Sequence, residues 1–267
     1  GVPALLFALD QLERGRVKTT VILILMALAS KEDFALVLGP LGLWLAAQPF
    51  LNRTATKDVE PRQELLTSKK LATRYGIGLT LAAVGYLLLT TRVLIPWFRG
   101  GAEVHYARYF AKFGDSLGDI VLNMLTQPGL LVQELVTVSS ISYLLALMLP
   151  LGFLPLLALS RCAVAIPILG LLCLNEIIKA DPQPWHHFHA PVVPILFWAA
   201  AHAVAEFREA SGSVIRFVSK HVCSDDTRYV PVFVLTLCCF AGGTVGMSPL
   251  SIRFWDAGSF YYWRSLY

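Results

Sequence analysis

Long uncharged apolar runs alternate along this chain with short clusters of ionisable residues. The runs cover residues 2–9, 19–30, 34–51, 75–91, 136–159, 162–174, 191–205 and 230–250. Several approach the roughly 20 residues that a helix needs to cross about 30 Å of hydrocarbon. Period-two alternation with short turns is absent. A helical bundle satisfies its backbone groups in lipid where an open sheet does not, so the pattern predicts helices rather than an outer-membrane barrel. The expected fold is all-α: a polytopic transmembrane bundle of about seven spans in a single integral-membrane domain, 1–267, with a truncated first helix before them. The run at 2–9 is too short to span. It begins at Gly1 without the basic flank and cleavage site of a signal peptide, so it reads as the tail of a truncated helix with further protein expected upstream.

The interruptions are as informative as the runs. Lys31-Glu32-Asp33 breaks the uncharged stretch between Thr19 and Asn52. Ionisable residues at membrane depth are expensive and face protein or water, which makes them functional candidates. The run at 19–30 would form only about 18 Å of helix at 1.5 Å per residue. Two short spans and a re-entrant hairpin both remain open, because each returns the chain to its starting side. In either geometry Glu32 and Asp33 line a water-accessible cavity rather than lipid.

Composition agrees with a lipid environment, since 56% of residues are apolar and 15% charged. Charge adds an orientation. Arg14, Arg16 and Lys18, the basic residues of 52–74, Arg161 and the basic residues of 206–229 make fourteen of the 22 lysines and arginines fall on one side. The positive-inside rule places that side in the cytoplasm of a prokaryotic cell, with 52–74 and 206–229 as cytoplasmic loops. The net charge of +4 then reflects topology rather than nucleic-acid binding. Cys162, Cys173, Cys223, Cys238 and Cys239 fall in spans or on the inner side, with no outer disulfide partner and no metal-ligand spacing. No phosphate-cradling glycine motif appears in the inner loops, so nucleotide hydrolysis has no support there.

Four polar elements share the opposite, extracytoplasmic face: 31–33, 99–134, 179–190 and the tail after 250. In the second, Tyr106, Tyr109, Phe110, Phe113, Leu117, Ile120, Val121, Met124 and Leu125 recur at helical spacing. Gly114 interrupts them, and Asp115 or Ser116 is expected to cap a second helix ending near Gln127-Pro128. Two short interfacial helices follow from this pattern. Aromatic residues Phe254 to Tyr267 read as a membrane-interface belt, with sugar stacking as the sharper alternative.

Two clusters carry candidate chemistry. Glu32 and Asp33 have the groups to ligate a divalent cation, orient a sugar hydroxyl or accept a proton, and Lys31 to pair with a phosphate or neutralise Glu32. The bland alternative is a helix turn capped by Asp33. Adjacent carboxylates on a helix point about 100° apart, so joint ligation of one metal requires a turn here. The other cluster is Trp185-His186-His187-Phe188-His189, between Pro184 and Pro191. Proline biases the preceding residue toward extended geometry, and if that extends upstream His187 and His189 project to one side. Such imidazoles suit a metal, a phosphate or proton transfer, against the plainer reading of a hydrogen-bonded loop. His105 and Tyr106 enter the same region, and His202 is expected to bond between helices.

The order of several short motifs is distinctive. A short apolar helix ends in Lys31-Glu32-Asp33, and a long one reaches Ile95-Pro96-Trp97-Phe98. Phe113-Gly114-Asp115-Ser116-Leu117-Gly118 then leads to Gln127-Pro128, followed by Leu149-Pro150-Leu151-Gly152-Phe153-Leu154-Pro155 and His187-Phe188-His189-Ala190-Pro191. Together these resemble the prokaryotic membrane-protein family defined by domain of unknown function 2079, over most of the chain. The resemblance implies kinship with C-type glycosyltransferases, multi-span enzymes that use polyprenyl-phosphate sugars and an acceptor on the outer side of the membrane. Those enzymes place a catalytic carboxylate in an early outer loop that this sequence does not contain. By implication Glu32 and Asp33 are supporting catalytic residues, and Lys31, His105, Tyr106, His186, His187 and His189 bind substrate. A transporter or flippase is the rival reading, suited by Pro150, Pro155 and Pro167. A purely structural role in an assembly is the third.

Overall fold

The computed structural model describes residues 1–51, 69–100, 105–182 and 187–219. Among these every regular element is helical. Helices α1 (Val2–Glu13) and α2 (Val17–Ser30) form a hairpin. Its turn is sharp because Gly15 adopts φ +69°, a conformation open to glycine at little steric cost. Lys31 leaves α2 in extended geometry, φ −167° and ψ 139°, and a 3-10 turn over Glu32–Phe34 feeds α3 (Ala35–Leu51). The second run is therefore a helix of 14 residues, about 21 Å long and shorter than the hydrocarbon core.

Helix α4 (Lys69–Leu89) lies along α3. Small residues allow the close approach: a β-carbon on Gly42 would come within 2.5 Å of the Gly76 carbonyl oxygen, and one on Gly76 within 2.6 Å of the Ala46 nitrogen. Thr80 Oγ1 spans the same seam to the Gly39 carbonyl at 3.0 Å. Farther up, Tyr86 donates to the Leu28 carbonyl at 2.9 Å, which ties α4 to the end of α2 beside the Lys31 turn. The helix then passes through a π turn, Thr90–Leu94, into α5 (Ile95–Phe98). Pro96 explains the loosened turn, because its ring removes one donor and crowds the carbonyl four residues earlier.

A 3-10 helix over His105–Phe113 precedes α6 (Leu117–Thr126), α7 (Pro128–Leu135) and α8 (Val138–Met148). Ser116 caps α6, accepting from the Asp119 backbone N–H at 3.1 Å, as the residue pattern predicts. The first of the two short helices is 3-10 rather than α, with Phe110 off helical geometry. Pro128 opens α7 at a position where its missing N–H costs nothing. α7 and α8 bend by 54° at Val136-Thr137.

Beyond Met148 the chain breaks up. Turns at Leu149–Leu151 and Leu154–Leu157 flank Gly152 and Phe153, both left-handed at φ 57°, and α9 (Leu159–Cys162) is only one turn long. A further 3-10 turn leads to α10 (Ile166–Leu174), then α11 (Glu176–Ala180), a 3-10 turn over His187–His189 and α12 (Val192–Ser219). The run at 136–159 is thus not one continuous helix. Pro150 and Pro155 supply the physical reason, since neither can donate within a helix.

Among the described residues two helical stretches, Glu32–Phe50 and Lys70–Phe98, are long and apolar enough to cross a membrane, or three if the bent α7–α8 pair counts as one. They face different surroundings: 61% of the first apolar window is buried inside the protein, against 11% of the second. α3 is a central helix and α4 a peripheral one whose apolar side chains, such as Leu81, Val84 and Leu88, are exposed. The main core joins α1, α3, α10 and the first half of α12 through Leu5, Leu38, Leu41, Ile168, Ile195 and Leu196. The run at 230–250, with Cys223, Cys238, Cys239 and the terminal aromatics, lies outside the described residues.

Candidate functional site

Two polar clusters occupy the end of the bundle that carries the Lys31 turn. α1 starts beside this turn, since a β-carbon on Gly1 would meet the Phe34 ring. Lys31 pairs with Asp33, not with Glu32. The pairing follows from the extended backbone at 31 and the 3-10 turn after it, which bring residue 33 back toward 31. The Lys31 and Asp33 side chains are 25% and 16% exposed, so the pair is sheltered without being sealed. Lys31 Nζ is itself buried and has no well-angled hydrogen-bond acceptor, the Asp33 contact being ionic.

Phe188 joins this turn to two other segments. The Lys31 ammonium stands 5.5 Å from the centre of its ring, a cation–π distance. Tyr109 of the 3-10 helix meets the same ring edge-on at 5.7 Å between centroids, and Arg108 lies 5.3 Å from the Tyr109 ring. The structure therefore brings together the Lys31 turn, the helix at 105–113 and the turn at 187–189. The residue at the junction, Phe188, has no polar group and was not selected from the sequence; its place between two histidines was the available signal.

The histidine segment differs from expectation. His187–His189 is a 3-10 turn, so its backbone lacks the strand geometry that aligns alternate side chains. Pro191 restricts only its immediate predecessor, and the segment turns to start α12. His189 is partly buried. His105 and Tyr106 lie in the 3-10 helix, while His186 falls outside the described residues. His202 bonds within its own helix, Nε2 to Glu206 Oε1 at 2.8 Å, rather than between helices. The i,i+4 spacing on one face accounts for this. Among the described residues no three His, Cys, Asp or Glu side chains gather to hold a metal ion.

The adjoining cluster centres on Glu134. Lys112 Nζ approaches both its oxygens, at 3.1 and 2.9 Å, and Lys179 binds Oε2 from α11. Glu176 is 4.0 Å from Lys112. Hydrogen bonding to Glu134 holds the Lys112 ammonium above the ordinary lysine range, so it stays charged at neutral pH. Its stabilising contribution is present below the ordinary lysine value and is lost only as pH rises through the raised one.

A third polar cluster lies toward the opposite end. Arg161 of α9 donates to Glu13 Oε1 through Nε at 3.0 Å and Nη2 at 2.9 Å, and Trp198 Nε1 donates to the same oxygen at 2.9 Å. The guanidinium sits 5.6 Å from the Trp44 ring and 5.2 Å from the Trp198 ring. Those rings meet edge-on at 4.9 Å. Sequence reasoning used Arg161 only for topology, because partners at positions 13, 44 and 198 share no local pattern.

With the geometry in place, comparison supplies the family. A family model described as predicted membrane protein (DUF2079) matches residues 1–235. The chain belongs to this family. No curated protein and no solved structure matches it. As a member of DUF2079 it sits in a lipid bilayer, which accords with the exposed apolar length of α4 and with a mixed buried and lipid-facing helical architecture.

Proposed function

We propose that this protein is a glycosyltransferase that receives a polyprenyl-phosphate sugar, from the extracytoplasmic side, at the bundle end carrying the Lys31 turn. One observation carries the reading: a buried ammonium, ion-paired to Asp33, stands over an aromatic ring at the meeting point of three predicted segments. An ammonium in a low-dielectric recess favours a developing phosphate charge far more than it would in water. The acceptor hydroxyl would attack the anomeric carbon as the bond to the phosphate oxygen breaks, and polyprenyl phosphate would leave with the electron pair. Lys31 would stabilise that phosphate, and Asp33 would hold the ammonium in position in the resting site. Glu32 would orient the acceptor or take its proton, and Phe188 and Tyr109 would present rings to the sugar. In this reading 99–134 lies at the outer interface and 52–74 and 206–229 face the cytoplasm.

The protein in liposomes, offered a panel of polyprenyl-phosphate sugars with outer-face acceptors, should transfer sugar. Lys31→Met should lower the rate by about a hundredfold, the usual effect of losing one transition-state donor. Transfer that continues at the normal rate in Lys31→Met would remove Lys31 from the mechanism.

The rival reading as a transporter draws on a specific observation, the run of broken helices from 149 to 165, since interrupted helices commonly border transport sites. No transfer from any donor, together with labelling of Lys31→Cys that alternates between the two sides of the membrane, would favour transport.

A further inference from the structure

The cluster around Arg161 lies outside the proposed site and ties the broken segment 149–165 to the rest of the bundle. Nothing in that segment is long enough to hold its own shape. Its helical pieces run three or four residues, and helix nucleation is unfavourable at such lengths without tertiary support. Gly152 and Phe153 add two consecutive left-handed residues. For Phe153 that backbone is unfavourable and the surroundings must offset it.

Leu151, Leu154, Val164 and Ala165 pack into the main core, and Arg161 adds the polar attachment. It reaches α1 through Glu13, and its guanidinium faces Trp44 of α3 and Trp198 of α12. Trp44 Nε1 also approaches Ser160 Oγ at 3.5 Å. Three hydrogen bonds converge on the single oxygen Glu13 Oε1. Both indoles are 8% exposed, so the ion pair is flanked by apolar surface, while the Glu13 side chain remains 30% exposed. A charge pair in this position holds while complete and becomes a penalty once one partner is lost, because the remaining charge is left among the rings.

We infer that the Glu13–Arg161 pair, held between Trp44 and Trp198, is a latch that docks segment 149–165 and whose release frees that segment without unfolding the bundle. It binds one end of a short, strained stretch to three helices. Opening exposes Cys162, adjacent to Arg161 and 7% exposed in the docked form. Cys173, 4% exposed in α10 beyond the break, reports on the bundle itself. The inference is independent of the glycosyltransferase reading.

The test is the rate of N-ethylmaleimide addition at each cysteine, read by site-resolved mass spectrometry on the intact protein in liposomes. Glu13→Gln should raise the Cys162 rate by about ten- to a hundredfold, as expected for losing hydrogen bonds to a charged partner, with Cys173 unchanged. Trp198→Phe keeps a ring and removes one donor, so it should raise Cys162 labelling by a smaller factor and serves if Glu13→Gln does not fold. Equal increases at both cysteines would show general loosening and overturn the latch. An unchanged Cys162 rate in the folded variants would overturn it equally.

Discussion

At the scale of single residues, the polar side chains of this protein are organised by shared partners. Glu134 pairs with two lysines, one from the 3-10 helix and one from α11. Lys179 is 11% exposed and Lys112 49% exposed, so the contacts differ in worth. Exposed ion pairs contribute little, and sheltered hydrogen-bonded ones contribute more. Glu134→Gln should therefore lower Tm in detergent by about 2–4 °C, the shift that about 1 kcal/mol produces in a chain of this size. Lys179→Met should come next and Lys112→Met last; a reversed order would show that Lys112 is the principal partner. The two lysines were visible in the sequence as positive charges of the polar segments 99–134 and 179–190. Glu134 as their joint partner was not, because the contacts span 22 and 45 residues.

Between helices the seam of α3 and α4 turns on which glycines face a neighbour. Gly42 and Gly76 admit the opposing backbone, whereas Gly78 and Gly85 have nothing within 4 Å of a built β-carbon. Gly42→Ala should destabilise the protein by about 1–3 kcal/mol through forced separation of the helices. Gly78→Ala and Gly85→Ala should be neutral or stabilising by about 0.5–1 kcal/mol, because alanine costs less backbone entropy in a helix. Thermal unfolding of the three variants in one detergent checks this, and equal losses at Gly42 and Gly78 would contradict the seam. From the sequence alone all four glycines looked alike. The cap was legible, by contrast: Ser116 acts within a few residues of itself, α6 begins where it indicates, and α6 ends at Thr126 beside the expected Gln127-Pro128 boundary.

For the whole molecule, the remaining question is which side of the membrane each end faces. The α1–α2 turn with Arg14 and Arg16 and the Lys31 turn lie at opposite ends of α2. The basic bias expects the first in the cytoplasm and the second outside. With the five native cysteines replaced, Asp115→Cys in intact cells should react with an impermeant maleimide and Arg14→Cys only after permeabilisation. Labelling of both from the same side would overturn the orientation. The sequence by itself determined the helical class, the lipid environment, a cap at Asp115 or Ser116 and the family, because each rests on composition or on short-range order along the chain. Only the tertiary structure decided that Lys31 pairs with Asp33 over Phe188, that the run at 136–159 breaks, that α4 is peripheral while α3 is central, and that Arg161 meets Glu13 between two indoles. Those outcomes depend on packing between residues as much as 185 positions apart, where hydrophobic periodicity carries no information about which faces meet.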